Sequence, residues 1–402
     1  MKKLLRLLSF AFAVLLLLGT SGCKSNINTS PEFTFGTDAW RGYYTFETHT
    51  MTESEDSYYY IDRTTFYAHV IDKESMLDTV LCAKPNCLHD QRSITSVQQA
   101  KECNGYVEYE GLGGIFYYNG HLYTVERSKG YKVEFPVLTQ LSLDGTSQKV
   151  IWEFENFNPP DVSGSVIRYV FHRGVLYFIF NVDAGEEAPD SLYAYDTTTK
   201  KCSLLCESDR AMKELRVVGN ALYIRQNVSG ESSETDLLCY DITTKTTSVI
   251  PRAADVFDCN GKKLLYYFEV DMETITANQY FTCQNFDGTG EEPLGLDISQ
   301  DTFKYPQTDG SYVFVAELSV AGDGTVKVYD LETQELVTRL PIPENMLRDY
   351  FLMCSLDGKL FLYSRFGREE KGVALCYGEI DKIATGDFEW KPIERIEVEI
   401  DF

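Results

Sequence analysis

A unit of about fifty residues recurs along this chain, and it constrains the fold more than any other feature. Each unit opens with an apolar, aromatic-rich strand, passes a glycine-containing turn and re-enters a strand ending in Leu-Tyr or a near equivalent. Ile115-Phe116-Tyr117-Tyr118, Asn119-Gly120, His121-Leu122-Tyr123 shows the form. It returns at residues 170–177, 217–223, 260–266, 309–314 and 357–362. The turn glycines at 120, 174, 219, 261, 310 and 358 stand 54, 45, 41, 49 and 48 residues apart. Asn-Gly and Asp-Gly favour the left-handed backbone that a two-residue hairpin requires. A second hairpin follows in each unit. Leu192-Tyr193-Ala194-Tyr195-Asp196 precedes Thr197-Thr198-Thr199-Lys200, Leu237-Leu238-Cys239-Tyr240-Asp241 precedes Ile242-Thr243-Thr244-Lys245, and Val326-Lys327-Val328-Tyr329-Asp330 precedes Leu331-Glu332-Thr333-Gln334. The Asp is expected to accept from backbone amides two or three residues on and so fix the turn.

Four short antiparallel strands every 40 to 50 residues predict an all-β fold, a β-propeller. Six units are plain, and the segment Tyr58-Tyr59-Tyr60-Ile61-Asp62 with Tyr67-Ala68-His69-Val70-Ile71-Asp72 makes a seventh with a shortened hairpin. Seven four-stranded blades are therefore expected. Six follows if the Tyr58 segment is an addition to the ring, and eight would leave no room for a tether. Residues 396–400 (IEVEI) alternate cleanly and are expected to pair with N-terminal chain and close the ring, which removes exposed strand edges.

Composition excludes several classes. With 44% hydrophobic, 13% aromatic and 24% charged residues, the chain is too apolar to be disordered and too evenly charged to be polytopic in a membrane. Formal net charge is -24. Beyond Gly22 the chain has 34 basic and 61 acidic residues, or -27, and such a surface repels nucleic acid.

The N-terminus reads as an address. Lys2, Lys3 and Arg6 precede an apolar run over residues 7–18, broken only by Ser9 and too short to span a bilayer. Gly19-Thr20-Ser21-Gly22-Cys23 follows and resembles the lipobox of bacterial lipoproteins, with Thr20 where that family usually has Leu. The resemblance implies cleavage before Cys23 and acylation of its thiol. Each buried methylene of the acyl chains would add about 0.8 kcal/mol of membrane affinity. The rival reading is an ordinary secretory signal with an incidental cysteine. The expected organisation is a signal peptide over 1–22, a lipidated polar tether over 23–34 and a single propeller over 35–402, held at the bacterial envelope outside the cytoplasm.

The repeats resemble TolB-like and related propellers of bacterial secreted proteins. Together with the lipobox, tether and Cys-rich first blade, they resemble propeller lipoproteins of Gram-positive bacteria. That likeness implies a ring at the cell surface and brings no assigned activity. The Trp-Asp dipeptides of other propeller families are absent.

Ten cysteines follow Cys23. Cys239, Cys283 and Cys376 fall at the strand position that Ala194 and Val328 hold in sister units, which predicts small apolar core residues. Cys202 and Cys206 lie too far apart along one strand to bond each other. Cys259 and Cys354 precede hairpin turns. The sharpest feature is Cys82, Cys87, His89 and Cys103, spaced C-x4-C-x-H-x13-C. Three thiols and an imidazole can complete a tetrahedral zinc shell, although the first gap is wide and the Cys-x-His pair tight for structural zinc. An oxidising compartment favours a Cys82–Cys87 or Cys87–Cys103 disulfide instead, and buried free thiols are the third arrangement.

No other motif carries chemistry. H-E-x-x-H, G-x-S-x-G and the P-loop are absent. His121 and His172 flank hairpin turns and are expected in solvent. Asp287-Gly288-Thr289-Gly290 and Gly322-Asp323-Gly324-Thr325 lack the alternating carboxylates of a calcium loop and read as turns. Trp40, Trp152 and Trp390 could stack on a sugar, though Trp152 sits in a strand phase that suits packing. The functional expectation is a ligand-binding propeller for a glycan, a peptide or an envelope protein, more in keeping with recognition than with catalysis. A lyase or glycoside hydrolase with its site in the central funnel, or a structural envelope subunit, are the alternatives. The longest connections, residues 126–136, 183–191 and 227–235, are expected on one face.

Overall fold

The computed structural model describes residues 33–395 except 36, 40–50, 63–64, 88, 90–96, 109–113, 128–135, 155–163, 183–188, 229–233, 260, 272–275, 299–303, 319–323, 347–350 and 365–374. Within them lie seven sheets in chain order, each with four antiparallel strands running from first to fourth in sequence, the first sheet carrying one further strand on its outer edge. The first strands are Thr52–Glu53, Phe116–Tyr118, Gly164–His172, Met212–Val218, Ala253–Cys259, Lys304–Thr308 and Phe351–Leu356. They neighbour one another from blade to blade, so they form the inner ring. Fourth strands such as Thr247–Ile250, Glu292–Leu294 and Lys391–Pro392 are largely exposed and form the rim.

This order explains the composition. A blade is covered by neighbours on both faces, so its middle strands are apolar runs without alternation. Val175-Leu176-Tyr177-Phe178-Ile179-Phe180 is buried throughout. Separate clusters of buried side chains fill the joints. Tyr59, Ile61 and Leu81 pack on Ile115, Leu122 and Leu141 between blades one and two. Val218, Tyr223 and Leu237 meet Ala253, Val256 and Leu265 between four and five. Tyr58, Tyr60 and Ile71 of blade one meet Phe361, Tyr363 and Leu375 of blade seven, which closes the circle. Seven blades are thus present, and the Tyr58 segment is a full blade. Cys239 and Cys376 are buried and Cys283 half-buried, facing the core as their repeat position requires.

Turns follow local chemistry. Asn119 and Gly120 have φ of 46° and 80°, and Asp357 and Gly358 of 47° and 68°, the left-handed pair of a two-residue hairpin. Asp196 Oδ1 accepts from the N–H of Thr198 and Thr199 at 2.8 and 3.1 Å. Asp241 and Asp330 repeat the arrangement with the amides two and three places on. The expected closing strand, residues 396–400, is not among the described residues, but the two residues before it do pair with blade one. Glu394–Arg395 pairs in parallel with Leu77–Val80, the fourth strand of blade one.

Candidate metal centre

The insert between Val80 and Phe116 carries the four candidate ligands and one helical turn, Val97–Ala100. It folds back on blade one. Tyr67 and Tyr106 form an antiparallel bridge, Ala68 N–H donates to Gly105 O at 2.7 Å, and Val107 N–H donates to Phe66 O at 2.8 Å. Tyr67, Val80, Ala100, Cys103 and Tyr106 make a small apolar core beneath the cluster. This packing brings together residues far apart in the loop. One donor atom from each of Cys82, Cys87, His89 and Cys103 lies within 4.8 Å of the others. Cys103 and His89 are buried, and Cys82 and Cys87 half-buried. Cys103 Sγ stands 3.6 Å from His89 Nδ1. A tetrahedron with Zn–S of about 2.3 Å and Zn–N of about 2.05 Å has an S···N edge of about 3.6 Å.

Each sulfur also accepts a backbone N–H from two residues on. Lys84 donates to Cys82, His89 to Cys87, and Gly105 to Cys103 at 3.4 Å. Asn104 adds a second backbone donor to Cys82. Hydrogen bonds of this kind stabilise thiolate and orient it, as the outer shell of a metal site does. Burial pushes the Cys82 thiol up, yet these donors outweigh it and leave the thiol below its ordinary range. Burial dominates at Cys87 and Cys103 and pushes both thiols up. Without a cation those two favour the neutral form.

The centre sits at a blade joint. Gly145, in the last hairpin of blade two, presses against Cys82, and its φ of +67° is left-handed. A Cβ there would lie 2.6 Å from Cys82 N. Ala83 N–H donates to Gly145 O at 3.2 Å, and Asn104 Nδ2 donates to Gly145 O and Thr146 O at 3.0 and 2.9 Å. Sequence reasoning singled out the four side chains that come together but missed these supports. The one available signal was the Asp144-Gly145 turn, whose partner lies 63 residues earlier.

The other sequence candidates fall elsewhere. Cys23 and Trp40 lie outside the described residues, as do most of the three long connections, which the flanking strands place between second and third strands. His121 is exposed as expected. His172 is not. It is buried, its Nδ1 accepts from Ala39 N–H at 3.0 Å, and burial depresses it to about 4. The expectation of a solvated turn residue failed because a distant segment covers the hairpin. Trp152 stacks on Tyr195 of the next blade with ring centroids 4.1 Å apart, and Trp390 donates to Pro341 O at 2.9 Å, so both join blades. Asp287 accepts from Thr289 N–H at 2.9 Å, a turn as read. The inner-strand charges pair across joints: Arg168 with Glu214 at 3.3 Å and Arg216 with Asp255 at 2.6 Å. Burial raises both carboxyls above their ordinary range despite the arginines. No helix among the described residues is long and apolar enough to cross a membrane.

No protein-family profile matches the chain. No curated protein matches it either. Solved structures are similar at low identity. The β-propeller domain of the Trilobed protease from Pyrococcus furiosus is 12% identical, over 68% of this chain and 82% of that one, with a TM-score of 0.43. TolB from Acinetobacter baumannii is 11% identical, over 87% and 79%, with a TM-score of 0.40. Porphyromonas gingivalis dipeptidyl peptidase 4 is 11% identical, over 78% of this chain and 50% of that one, with a TM-score of 0.44.

Proposed function

We propose that this chain is an extracytoplasmic propeller, lipidated at Cys23, that binds a glycan, a peptide or an envelope protein, and that Cys82, Cys87, His89 and Cys103 hold a structural zinc ion. The zinc reading is carried by one observation: four donors of the right chemistry gather within 4.8 Å. A disulfide would use two of the three sulfurs and neither the third thiol nor His89. A metal uses all four and gives the N–H donors a thiolate to stabilise. Four protein ligands fill a tetrahedral shell and leave no position for an activated water, so the ion is structural. Its work is mechanical. It fixes the insert that clamps Gly145 of blade two, and so stiffens the first joint of the ring. The lipobox-like sequence supports the anchor, and loops gathered at one end of a rigid ring support recognition.

The test is elemental analysis of the full chain purified without chelator. About one zinc per chain is expected, lost in Cys103→Ser, with ligand-bound cysteines resisting alkylation until zinc is removed. Absence of near-stoichiometric metal, or a mass change on reduction and alkylation that reveals a disulfide, overturns the centre. A glycan and peptide array with the delipidated protein tests the binding role.

A further inference from the structure

Residues 33–35 and 37–39 dock on one end of the ring, where first strands turn into second strands. Arg173, in the hairpin of blade three, donates from Nε to Asp38 Oδ1 at 2.6 Å and from Nη2 to Asp38 Oδ2 at 2.8 Å. Both side chains are 3% exposed. Arg173 N–H donates to Thr37 O at 2.8 Å, and Ala39 N–H donates to His172 Nδ1 at 3.0 Å. Arg173 Nη1 reaches Asn220 Oδ1 in the blade-four hairpin at 2.8 Å. Phe35 meets the Tyr117 ring of blade two with centroids 6.0 Å apart. Beneath the segment a small cavity runs to the hairpin ends of blades four and five, lined among others by Phe33, Ala39, Gly219 and Asp258. A bidentate pair this buried holds its segment far more firmly than a surface ion pair.

The anchor has little reach from there. Phe33 stands ten residues after Cys23. Ten residues span at most about 33–36 Å when fully extended. Reaching the other end of the ring means crossing a blade from inner to outer strand and then following a strand. Three inter-strand gaps take about 14 Å and a seven-residue strand about 23 Å, so the path exceeds about 37 Å before side chains are counted. Along that outer path the tether falls short even when taut.

We propose that the hairpin end of the ring lies against the lipid bilayer that holds Cys23, and that the connections between second and third strands point away from it. The proposal rests on the lipidation proposed above. It makes the outward end, with its long connections, the surface open to a ligand. The segment at 33–39 is then the element that sets the orientation.

The test uses the full-length lipidated protein in liposomes doped with an acceptor-labelled lipid. A fluorescent amino acid is placed at His121 or Lys262 at the hairpin end, or at Pro189 or Glu234 at the other. With the two ends about 23 Å apart, energy-transfer rates to the bilayer should be about tenfold higher from the first pair. Equal rates, or the reverse order, overturn the orientation. The double variant Asp38→Ala, Arg173→Ala should collapse the difference while keeping the acyl mass. A difference that survives it shows that the docked segment does not orient the ring, which also overturns the proposal. Intact mass separates the two readings. Wild-type chain without acyl groups overturns lipidation and orientation together. Acylated chain without a distance difference overturns orientation alone.

Discussion

Replacing Arg395 by alanine should destabilise the whole ring, because its side chain bridges two buried carboxylates of blade one. Arg395 lies in the last described strand and is 18% exposed, while Asp62 and Asp78 are 3% and 0% exposed. Its Nη2 donates to Asp62 Oδ2 and, at 3.2 Å, to His69 Nε2, and its Nε is 3.8 Å from Asp78. Accepting at Nε2 leaves His69 to donate from Nδ1 to Asp78 Oδ1 at 2.9 Å. Tyr60 and Tyr363 complete the network by donating to Asp78 at 2.5 Å and to Asp62 at 3.0 Å, and burial holds both phenols well above their ordinary range. Removing one partner of a buried ion pair costs about 3–5 kcal/mol, since the other charge stays buried. Unfolding entropy of about 2.1 cal/mol/K per residue over about 360 residues is about 0.76 kcal/mol/K, so Tm should fall by about 4–7 °C. Calorimetry or thermal circular dichroism reads this directly. Arg395→Ala combined with Asp62→Asn should recover part of the loss, because the abandoned charge is then gone. A fall of less than about 1 °C, or additive losses in the double variant, would refute the view that the C-terminal strand latches the ring electrostatically.

Three further outcomes follow from the geometry. Burial depresses His172 to about 4, so the folded chain binds its proton more weakly than the unfolded chain does. Stability from this group is complete above its ordinary pKa of about 6.5 and is lost as pH falls toward about 4, by about 3 kcal/mol, and His172→Asn should flatten that limb in pH-dependent denaturation. Gly145→Ala should be far worse than Gly120→Ala by Tm: both have positive φ, but the added methyl meets Cys82 N at 2.6 Å in one and nothing within 4 Å in the other. The second therefore shows only left-handed strain of about 1–2 kcal/mol, whereas the first should also shed zinc, read by elemental analysis. Asp241→Ala should cost about 1 kcal/mol in a denaturant titration by freeing the amides of Thr243 and Thr244, with no change in metal content.

Reading the sequence succeeded wherever neighbours in the chain decide the structure. Asp196, Asp241 and Asp330 act on amides two and three residues away, and Asn119-Gly120 sets its own hairpin, so both turns of a blade and the rhythm of seven could be read from order alone. The gathering of Cys82, Cys87, His89 and Cys103 was legible for the same reason, since all four lie within one insert. What could not be read is set by closure of the ring, which places the two ends of the chain against blades that no local pattern names. Arg395 reaches Asp62 across 333 residues and Asp38 reaches Arg173 across 135. Both contacts bury charge, and both sit where an end of the chain meets the ring. The joints are all built from buried aliphatic and aromatic side chains, so hydrophobicity alone does not distinguish one blade from another. A charge buried at one blade and matched by one residue near a terminus does distinguish them, because another seating separates that charge from its opposite ion. The ion pairs therefore fix which blade each terminus meets, while the hydrophobic joints supply the bulk of the stability. Exchanging Arg173 and Asp38 should test this division: the swapped pair restores charge complementarity but not the forked geometry, so limited proteolysis should find residues 33–39 more accessible while the Tm of the ring changes little.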